Sequence, residues 1–193
     1  MNLAYHFESV DIGNHLIVFG IVKYKNIFSR YDEVFKDKGW LSIFVSNHDQ
    51  PRMVSKFGND SPLYRAVSSK MLSTFVMTMR GTPYNFNGDE IGMVNIRFDK
   101  IEDYNDVDTR NKYEQLKKSG GDLAAFLENK KQTSRENGRT PFQWDSSANG
   151  GFTTGKPWLT VNPNFSTINA EAQEKDPNSV LNYYRKLVKV RKA

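Results

Sequence analysis

The sequence predicts an α/β fold built from parallel βαβ units. Three short apolar segments, each followed by a polar loop, alternate with helical segments in the order strand, helix, strand, helix, strand. The segment 63–79 carries apolar residues at four-residue spacing, the period of an amphipathic helix. No linker or internal repeat divides the 193 residues, a length that suits one domain.

The first strand is predicted at residues 2–8 (NLAYHFE), an apolar run typical of a buried strand. A short helix is predicted over 31–38, before Gly39. The second strand is the apolar segment 41–45 (LSIFV). It is followed by a polar loop, since Pro51 disfavours the helical conformation in the residue before it.

The next helix shows the clearest pattern in the chain. Ser61 is expected to cap it and Pro62 to take its first position, where proline is favoured. Its buried stripe is predicted to comprise Leu63, Val67, Met71, Phe75 and Met79, widened by Leu72 and Val76. A third strand is predicted at 82–86 (TPYNF), followed by a loop at 87–90.

The last part of the chain is predicted to combine helices with a long irregular segment. Two polar helices are predicted at 106–118 and 122–131, and a final helix is expected to open at Asp176-Pro177. Between them, residues 137–169 are rich in Gly, Pro, Asn and Thr, with three aromatics expected to be buried: Phe142, Trp144 and Trp158. Irregular segments of this length are usually functional.

Composition excludes several classes of protein. The chain is 38% hydrophobic and 25% charged, which excludes a disordered tail, and no apolar run approaches the ~20 residues of a membrane span. With no cysteine, disulfides and cysteine-based metal sites are excluded. The net charge of +5 lies on helices with apolar opposite faces, typical of solvated surfaces, so no nucleic-acid or membrane partner is predicted. No signal-peptide pattern follows Met1, which favours the cytoplasm.

Polar and acidic residues follow two of the predicted strands. His48 and Asp49 come after the second strand, and Asp89 and Glu90 after the third. In parallel α/β folds the loops at the carboxyl ends of the strands form one face, where catalytic residues lie. Three carboxylates on neighbouring loops suggest a glycosidase acid/base pair, whose carboxyl groups lie about 5–10 Å apart. Capping a turn or pairing with an arginine would explain the same residues, and spacing does not separate these interpretations.

Four longer motifs resemble the α-amylase clan, glycoside hydrolase family 13, and are most similar to its oligo-1,6-glucosidase and α-glucosidase branch. In chain order they are residues 44–52 (FVSNHDQPR) with 55–58 (SKFG), 81–84 (GTPY) with 88–93 (GDEIGM), 137–145 (NGRTPFQWD) with 151–155 (GFTTG), and 158–164 (WLTVNPN). Their order matches the family and they span almost the whole chain.

The resemblance implies a partial (β/α)8 TIM barrel comprising strands six to eight, their helices and the long loop after strand eight. A complete barrel needs roughly 250 residues. Residues 1–193 are therefore expected to be the C-terminal portion of a glycosidase catalytic barrel, without its N-terminal part or the family's C-terminal β-domain. Met1 is then an internal methionine or an artificial boundary, and unpaired sheet edges are expected to cause self-association.

The resemblance also assigns site residues. Asp49 matches the family's third catalytic carboxylate, which stabilises the oxocarbenium-like transition state. His48 matches a histidine that contacts the same sugar, and Arg139 an arginine that holds the glucose at the non-reducing end. Arg52 is a weaker match, expected to bind substrate or to orient nearby carboxylates. The implied activity is that of a retaining α-glucosidase acting on short α-linked gluco-oligosaccharides, without a metal or cofactor.

The sequence departs from the family pattern in two ways. Phe86, Asn87 and Asp89 stand where relatives usually have Tyr, Gln and Glu, and Asp89 and Glu90 match acids with structural roles. More importantly, the family's nucleophilic Asp and acid/base Glu have no counterpart; Asp99 follows the eighth-strand motif and is not the nucleophile. The chain alone is therefore expected to be inactive. A trehalose-6-phosphate hydrolase, a sucrose isomerase and a non-catalytic remnant remain alternatives.

Overall fold

The computed structural model describes residues 2–12, 20–36 and 38–193 of the chain. Its strands are β1 (Asn2–Ala4), β2 (Gly39–Ile43) and β3 (Thr82–Pro83). Its α-helices are α1 (Glu8–Asp11), α2 (Ile21–Phe35), α3 (Met53–Phe57), α4 (Arg65–Thr78), α5 (Val107–Lys118), α6 (Leu123–Thr133), α7 (Ala170–Lys175) and α8 (Val180–Lys192). Within the described residues, no helix is both long and apolar enough to cross a lipid bilayer.

The three strands form one parallel sheet in the order β1-β2-β3. Leu3 is aligned with Trp40 across the first pair, and Ile43 with Pro83 across the second. The predicted parallel βαβ arrangement is therefore confirmed. Because the strands run in the same direction, the loops after β2 and β3 emerge on the same edge of the sheet.

The main hydrophobic core lies between the sheet and helices α2 and α4. Side chains alternate between the two faces of a strand, and Leu41 and Ile43 of β2 both point into this core. Tyr24 and Phe28 of α2 and Leu72 and Val76 of α4 are among the residues that pack there. This packing fixes β2 as the central strand, and with it the loop that follows.

The first half of the chain differs from the sequence prediction in the extent of its elements. Strand β1 ends at Ala4, not at residue 8, and Leu3, Tyr5 and Phe7 are about half exposed because β1 is paired on one side only among the described residues. The helix predicted over 31–38 is the end of the longer α2. Asp37, inside that predicted range, lies outside the described residues.

Helix α4 begins later than predicted, and its buried face matches the predicted stripe only in part. The backbone carbonyl of Ser61 accepts hydrogen bonds from the N–H groups of Tyr64 and Arg65, so residues 61–64 form a turn and Ser61 is not the cap. Of the predicted stripe, Leu63, Val67 and Met71 are exposed. Leu72 and Val76, predicted to widen the stripe, are buried, and Phe75 and Met79 are partly buried against the core. The remaining buried positions are Ser69, Ser73 and Met77, so the buried face is turned by about one residue.

A helical hairpin, α5–α6, and an irregular segment follow β3. The Asp106 and Asp122 side chains cap α5 and α6 by accepting from the N–H groups of Thr109 and Ala125, which confirms both predicted helices. The irregular segment contains the 3-10 turns Arg135–Arg139, Ala148–Gly151 and Pro163–Ser166, and the final helix begins at Val180, capped by Ser179. Of the three aromatics expected to be buried, only Phe142 is; Trp144 and Trp158 are exposed.

Two buried asparagines close the base of the α5–α6 hairpin. The Asn95 side-chain amide donates to the carbonyl of Gln132 at 3.2 Å, and that of Asn137 donates to the carbonyls of Lys131 and Ser134 at 3.2 and 3.1 Å. Asn137 Oδ1 in turn accepts from the backbone N–H of Arg97 at 3.1 Å. The chain therefore leaves for the hairpin and returns from it at one fixed place.

Candidate functional site

Asp49 lies in the loop after the central strand β2. Its backbone N–H donates to Asn47 Oδ1 at 2.8 Å, and the N–H of Gln50 donates to the carbonyl of Asn47 at 3.1 Å. These bonds form a tight turn that presents the Asp49 carboxylate, 42% exposed, at the carboxyl edge of the sheet.

Three positively charged or titratable side chains meet the Asp49 carboxylate. Arg139 Nη2 lies 2.8 Å and Arg135 Nη1 3.3 Å from Oδ1, while His48 Nε2 lies 3.3 Å from Oδ2. Because the partners hold different oxygens, the plane of the carboxylate is fixed. Exposed ion pairs of this kind add little to the free energy of folding, so their main effect is to hold the Asp49 carboxylate in one orientation. The structure thus brings together three predicted site residues, His48, Asp49 and Arg139.

Arg139 reaches Asp49 because its loop lies directly against the loop after β2. Arg139 Nε donates to the backbone carbonyl of His48 at 2.6 Å. Gly138, the preceding residue, is buried, and a Cβ added there would lie 2.5 Å from the carbonyl oxygen of Gln50. A side chain at this position would therefore push the two loops apart.

Arg135 is a site residue that the sequence did not reveal. Its Nε and Nη2 lie 3.1 and 2.5 Å from Asp106 Oδ1, so the arginine is held between Asp106 and Asp49. Burial acts to raise the pKa of Asp106, but the hydrogen bonds from Arg135 and Thr109 outweigh it and the pKa is lowered. The sequence feature that could have indicated Arg135 is its position four residues before Arg139, since both arginines lie in the same 3-10 turn.

Arg52 lies beneath the site and is 1% exposed. Its Nε donates to the carbonyl of Asn137 at 3.1 Å and its Nη1 to the carbonyl of Asn87 at 2.5 Å, while its backbone N–H donates to Asn95 Oδ1 at 2.9 Å. Of the two expected roles, binding substrate and orienting nearby carboxylates, the first does not fit a side chain buried to this extent. Arg52 instead connects the loops that carry Asp49 and Arg139, which makes it a positioning residue.

Asp89 and Glu90 do not form an accessible carboxylate pair. Asp89 is buried and accepts a hydrogen bond from the Ser46 hydroxyl; burial raises its pKa to about 6, against the opposing effects of Ser46 and Arg52. Glu90 Oε2 accepts from the Gly88 N–H at 2.9 Å and closes its own loop. Both acids are therefore structural, and the acid-pair interpretation receives no support from their placement.

No set of three or more His, Asp or Glu side chains in the described ranges is arranged to hold a metal ion. The buried Arg52 guanidinium lies below the site, and burial lowers its pKa to about 10 although the nearby Asp89 and Glu90 act to raise it. It remains a cation at neutral pH. The loops after β2 and β3 are thus joined around a fixed positive charge.

Comparison with proteins of known sequence gives consistent matches over the whole chain. It is 44% identical to an oligo-1,6-glucosidase from Parageobacillus thermoglucosidasius and 44% identical to a trehalose-6-phosphate hydrolase from Bacillus subtilis. Both alignments cover 100% of this chain and 35% of the relative. The chain therefore spans about a third of the length of these curated relatives.

Solved structures show the same similarity. An isomaltulose synthase mutant from Erwinia rhapontici NX5 in complex with D-glucose is 41% identical, with a TM-score of 0.93 over 100% of this chain and 36% of that one. The family model that matches is the alpha-amylase catalytic domain, over residues 2–193. With the parallel sheet and the site at its carboxyl edge, these matches show that the chain belongs to the alpha-amylase catalytic domain family.

Proposed function

We propose that the chain is part of a retaining glycoside hydrolase that acts on short α-linked gluco-oligosaccharides. In this proposal Asp49 is the carboxylate that stabilises the transition state, and His48, Arg135 and Arg139 surround the glucose that occupies the site. The observation that carries the proposal is the convergence of these side chains on one exposed carboxylate at the carboxyl edge of the sheet.

The chemistry of the cluster suits a glucosyl cation. Cleavage of a glycosidic bond develops positive charge on the sugar ring, which a fixed carboxylate stabilises electrostatically. Arg139 uses Nε and Nη2 to hold His48 and Asp49, which leaves other N–H groups of its guanidinium for sugar hydroxyls. His48 offers an imidazole N–H beside the same carboxylate.

The retaining mechanism needs two further groups. A carboxylate attacks the anomeric carbon, a carboxylic acid protonates the leaving oxygen, and water then hydrolyses the glycosyl-enzyme. We assign neither group to this chain, and we propose that the 193 residues alone do not turn over substrate. In the same proposal β1, β2 and β3 are the sixth, seventh and eighth strands of a (β/α)8 barrel.

The sugar on the other side of the cleaved bond distinguishes two candidate activities, since an oligo-1,6-glucosidase and a trehalose-6-phosphate hydrolase are each 44% identical to this chain. The test replaces the matching segment of the Parageobacillus enzyme with residues 2–193, and hydrolysis is assayed with isomaltose, maltose, sucrose and trehalose 6-phosphate. Activity on isomaltose is expected. Preference for trehalose 6-phosphate would favour the second candidate.

The Asp49→Asn variant of this chimera tests the assigned role. Loss of one transition-state contact lowers turnover about 10²–10³-fold. Glu171→Gln, which removes an exposed carboxylate far from the site in sequence, serves as the matched control. Near-normal turnover by the Asp49→Asn chimera would overturn the role assigned to Asp49. Hydrolysis of p-nitrophenyl α-glucoside by the chain alone would contradict the proposal that these 193 residues are inactive by themselves.

A further inference from the structure

Trp158 is an exposed aromatic residue at the rim of the candidate site. Its side chain is 59% exposed, although tryptophan is highly buried on average. The next residue, Leu159, is buried against Phe98 and Tyr104. The backbone at this point is therefore anchored in a core, while the indole projects outward.

Two contacts fix the orientation of the indole. Its Nε1–H donates to the backbone carbonyl of Arg139 at 3.0 Å, and its ring meets that of Phe152 edge-to-face, with centroids 5.0 Å apart and planes at 86°. Among the described residues this is the one ring that meets the indole, and an indole with 59% exposure and one edge-to-face partner keeps at least one face open. The backbone carbonyl of Trp158 accepts from the Asn105 side-chain amide at 2.5 Å, which ties this segment to the start of α5.

These contacts connect Trp158 directly to the charged cluster. Trp158 binds the main chain of Arg139, and the side chain of Arg139 binds Asp49 at 2.8 Å. On the other side, Asn105 precedes Asp106, which holds Arg135 against Asp49. Trp158 is therefore bonded directly to Arg139, and its backbone is linked through Asn105 to the segment that holds Arg135.

We propose that Trp158 forms a stacking platform for the second sugar ring of an α-linked glucoside. One face of a pyranose consists of C–H groups and is apolar, so it gains free energy by covering an open indole face. The fixed orientation of the ring lowers the entropic cost of binding. The inference rests on the proposed function, because the first ring must occupy the Asp49 cluster for the second to reach Trp158.

Trp144 provides a matched comparison within the same chain. It is 52% exposed and also packs on a phenylalanine, Phe142, with ring centroids 4.5 Å apart. Its backbone bonds are to Gly150 and Glu171, and these residues do not belong to the Asp49 cluster. Two tryptophans of similar exposure thus differ in whether they adjoin the site.

The test measures the affinity of the intact chain for glucose and for isomaltose by isothermal titration calorimetry. The variants are Trp158→Ala, Trp158→Phe, Trp144→Ala and Asp49→Asn, each first checked for folding by circular dichroism. Trp158→Ala is expected to weaken isomaltose binding about tenfold and to leave glucose binding unchanged. Trp158→Phe should keep most of the isomaltose affinity, and Trp144→Ala should match the wild type.

The outcomes separate the two proposals. If Trp158→Ala leaves the isomaltose-to-glucose affinity ratio unchanged while Asp49→Asn weakens the binding of both sugars, the platform is wrong and the proposed function stands. If Asp49→Asn changes neither affinity, or if the wild-type chain binds neither sugar, both proposals fail. Should Trp158→Ala not fold, the decision rests on the quenching of tryptophan fluorescence by isomaltose, which must persist in Trp144→Ala and disappear in Trp158→Phe. Quenching that survives in Trp158→Phe would overturn the platform.

Discussion

Arg139 Nη2 lies 2.8 Å from Asp49 Oδ1, although 90 positions separate the two residues in the sequence. The contact joins the loop after the central strand to the irregular segment after the α5–α6 hairpin. A long-range contact of this kind depends on the packing and hydrogen bonds that hold the two loops together.

The first prediction concerns the close approach of the two loops. Gly138→Ala would place a Cβ 2.5 Å from the Gln50 carbonyl oxygen, so the loops must separate and the hydrogen bond from Arg139 Nε to His48 must lengthen. We expect about tenfold weaker glucose binding by calorimetry and a loss of about 1–3 kcal/mol in the free energy of unfolding. Gly155→Ala is the control, since its nearest atom would be Thr153 Oγ1 at 3.6 Å. Unchanged glucose affinity in Gly138→Ala would contradict this role.

The second prediction concerns the buried guanidinium below the site. Arg52→Lys keeps the positive charge, but a single ammonium group cannot reproduce the planar guanidinium that donates to the backbone carbonyls of both Asn137 and Asn87. We expect the free energy of unfolding, measured in urea, to fall by about 3 kcal/mol. Arg80→Lys, at an exposed arginine paired with Asp32, should change it by less than about 1 kcal/mol. Equal effects of the two substitutions would show that Arg52 does not hold the loops.

The third prediction concerns pH. Burial raises the pKa of Asp89 to about 6 in the folded chain, compared with about 3.9 for an unfolded aspartate, so the native state binds more protons between these values. The stabilising contribution of Asp89 is complete below pH 4 and is lost as the pH rises through 6. The difference in unfolding free energy between wild type and Asp89→Asn should therefore fall by on the order of 2 kcal/mol between pH 4 and pH 7.

Urea unfolding of both proteins at several pH values measures that difference. Glu171→Gln is the control, because this exposed carboxylate pairs only at the surface with Lys175. A difference that grows with pH would mean that Asp89 is ionised and stabilised by Arg52 in the native state.

The fourth prediction concerns the outer edge of β1. Leu3 on β1, and Tyr5 and Phe7 just after it, are about half exposed, and among the described residues β1 is paired on one side only. A free strand edge beside apolar side chains favours association. Multi-angle light scattering of the purified chain should detect species larger than a monomer. Leu3→Lys should shift the distribution toward monomer, whereas Val190→Lys on α8 should not. A monodisperse wild-type monomer would refute the prediction.

The elements that the sequence predicted well are those with strong local signals. The α5 and α6 helices are capped by Asp106 and Asp122, whose carboxylates accept from the backbone three residues later, and this signal is readable from the sequence. Ser61-Pro62 carries the same kind of signal but forms a turn, because Ser61 uses its backbone carbonyl and not its side chain. Local signals therefore indicated the elements better than their boundaries.

The site was predictable only as far as the motifs reached. His48, Asp49 and Arg139 meet as the resemblance implied, whereas Arg135 is recruited by Asp106, a contact between positions 29 apart that no local pattern encodes. The burial of Arg52 and the exposure of Trp158 are both reversals of residue-type expectation. Each depends on which loops meet around the side chain.

The asparagine-closed base of the α5–α6 hairpin has a consequence for variation of this protein. Asn95 and Asn137 hold the two stems together and Asp106 holds Arg135, so α5 and α6 can lengthen or shorten beyond Asp106 while Arg135 and Arg139 stay in register with Asp49. Hairpins transplanted at these stems offer a modular way to reshape the entrance without rebuilding the charged centre.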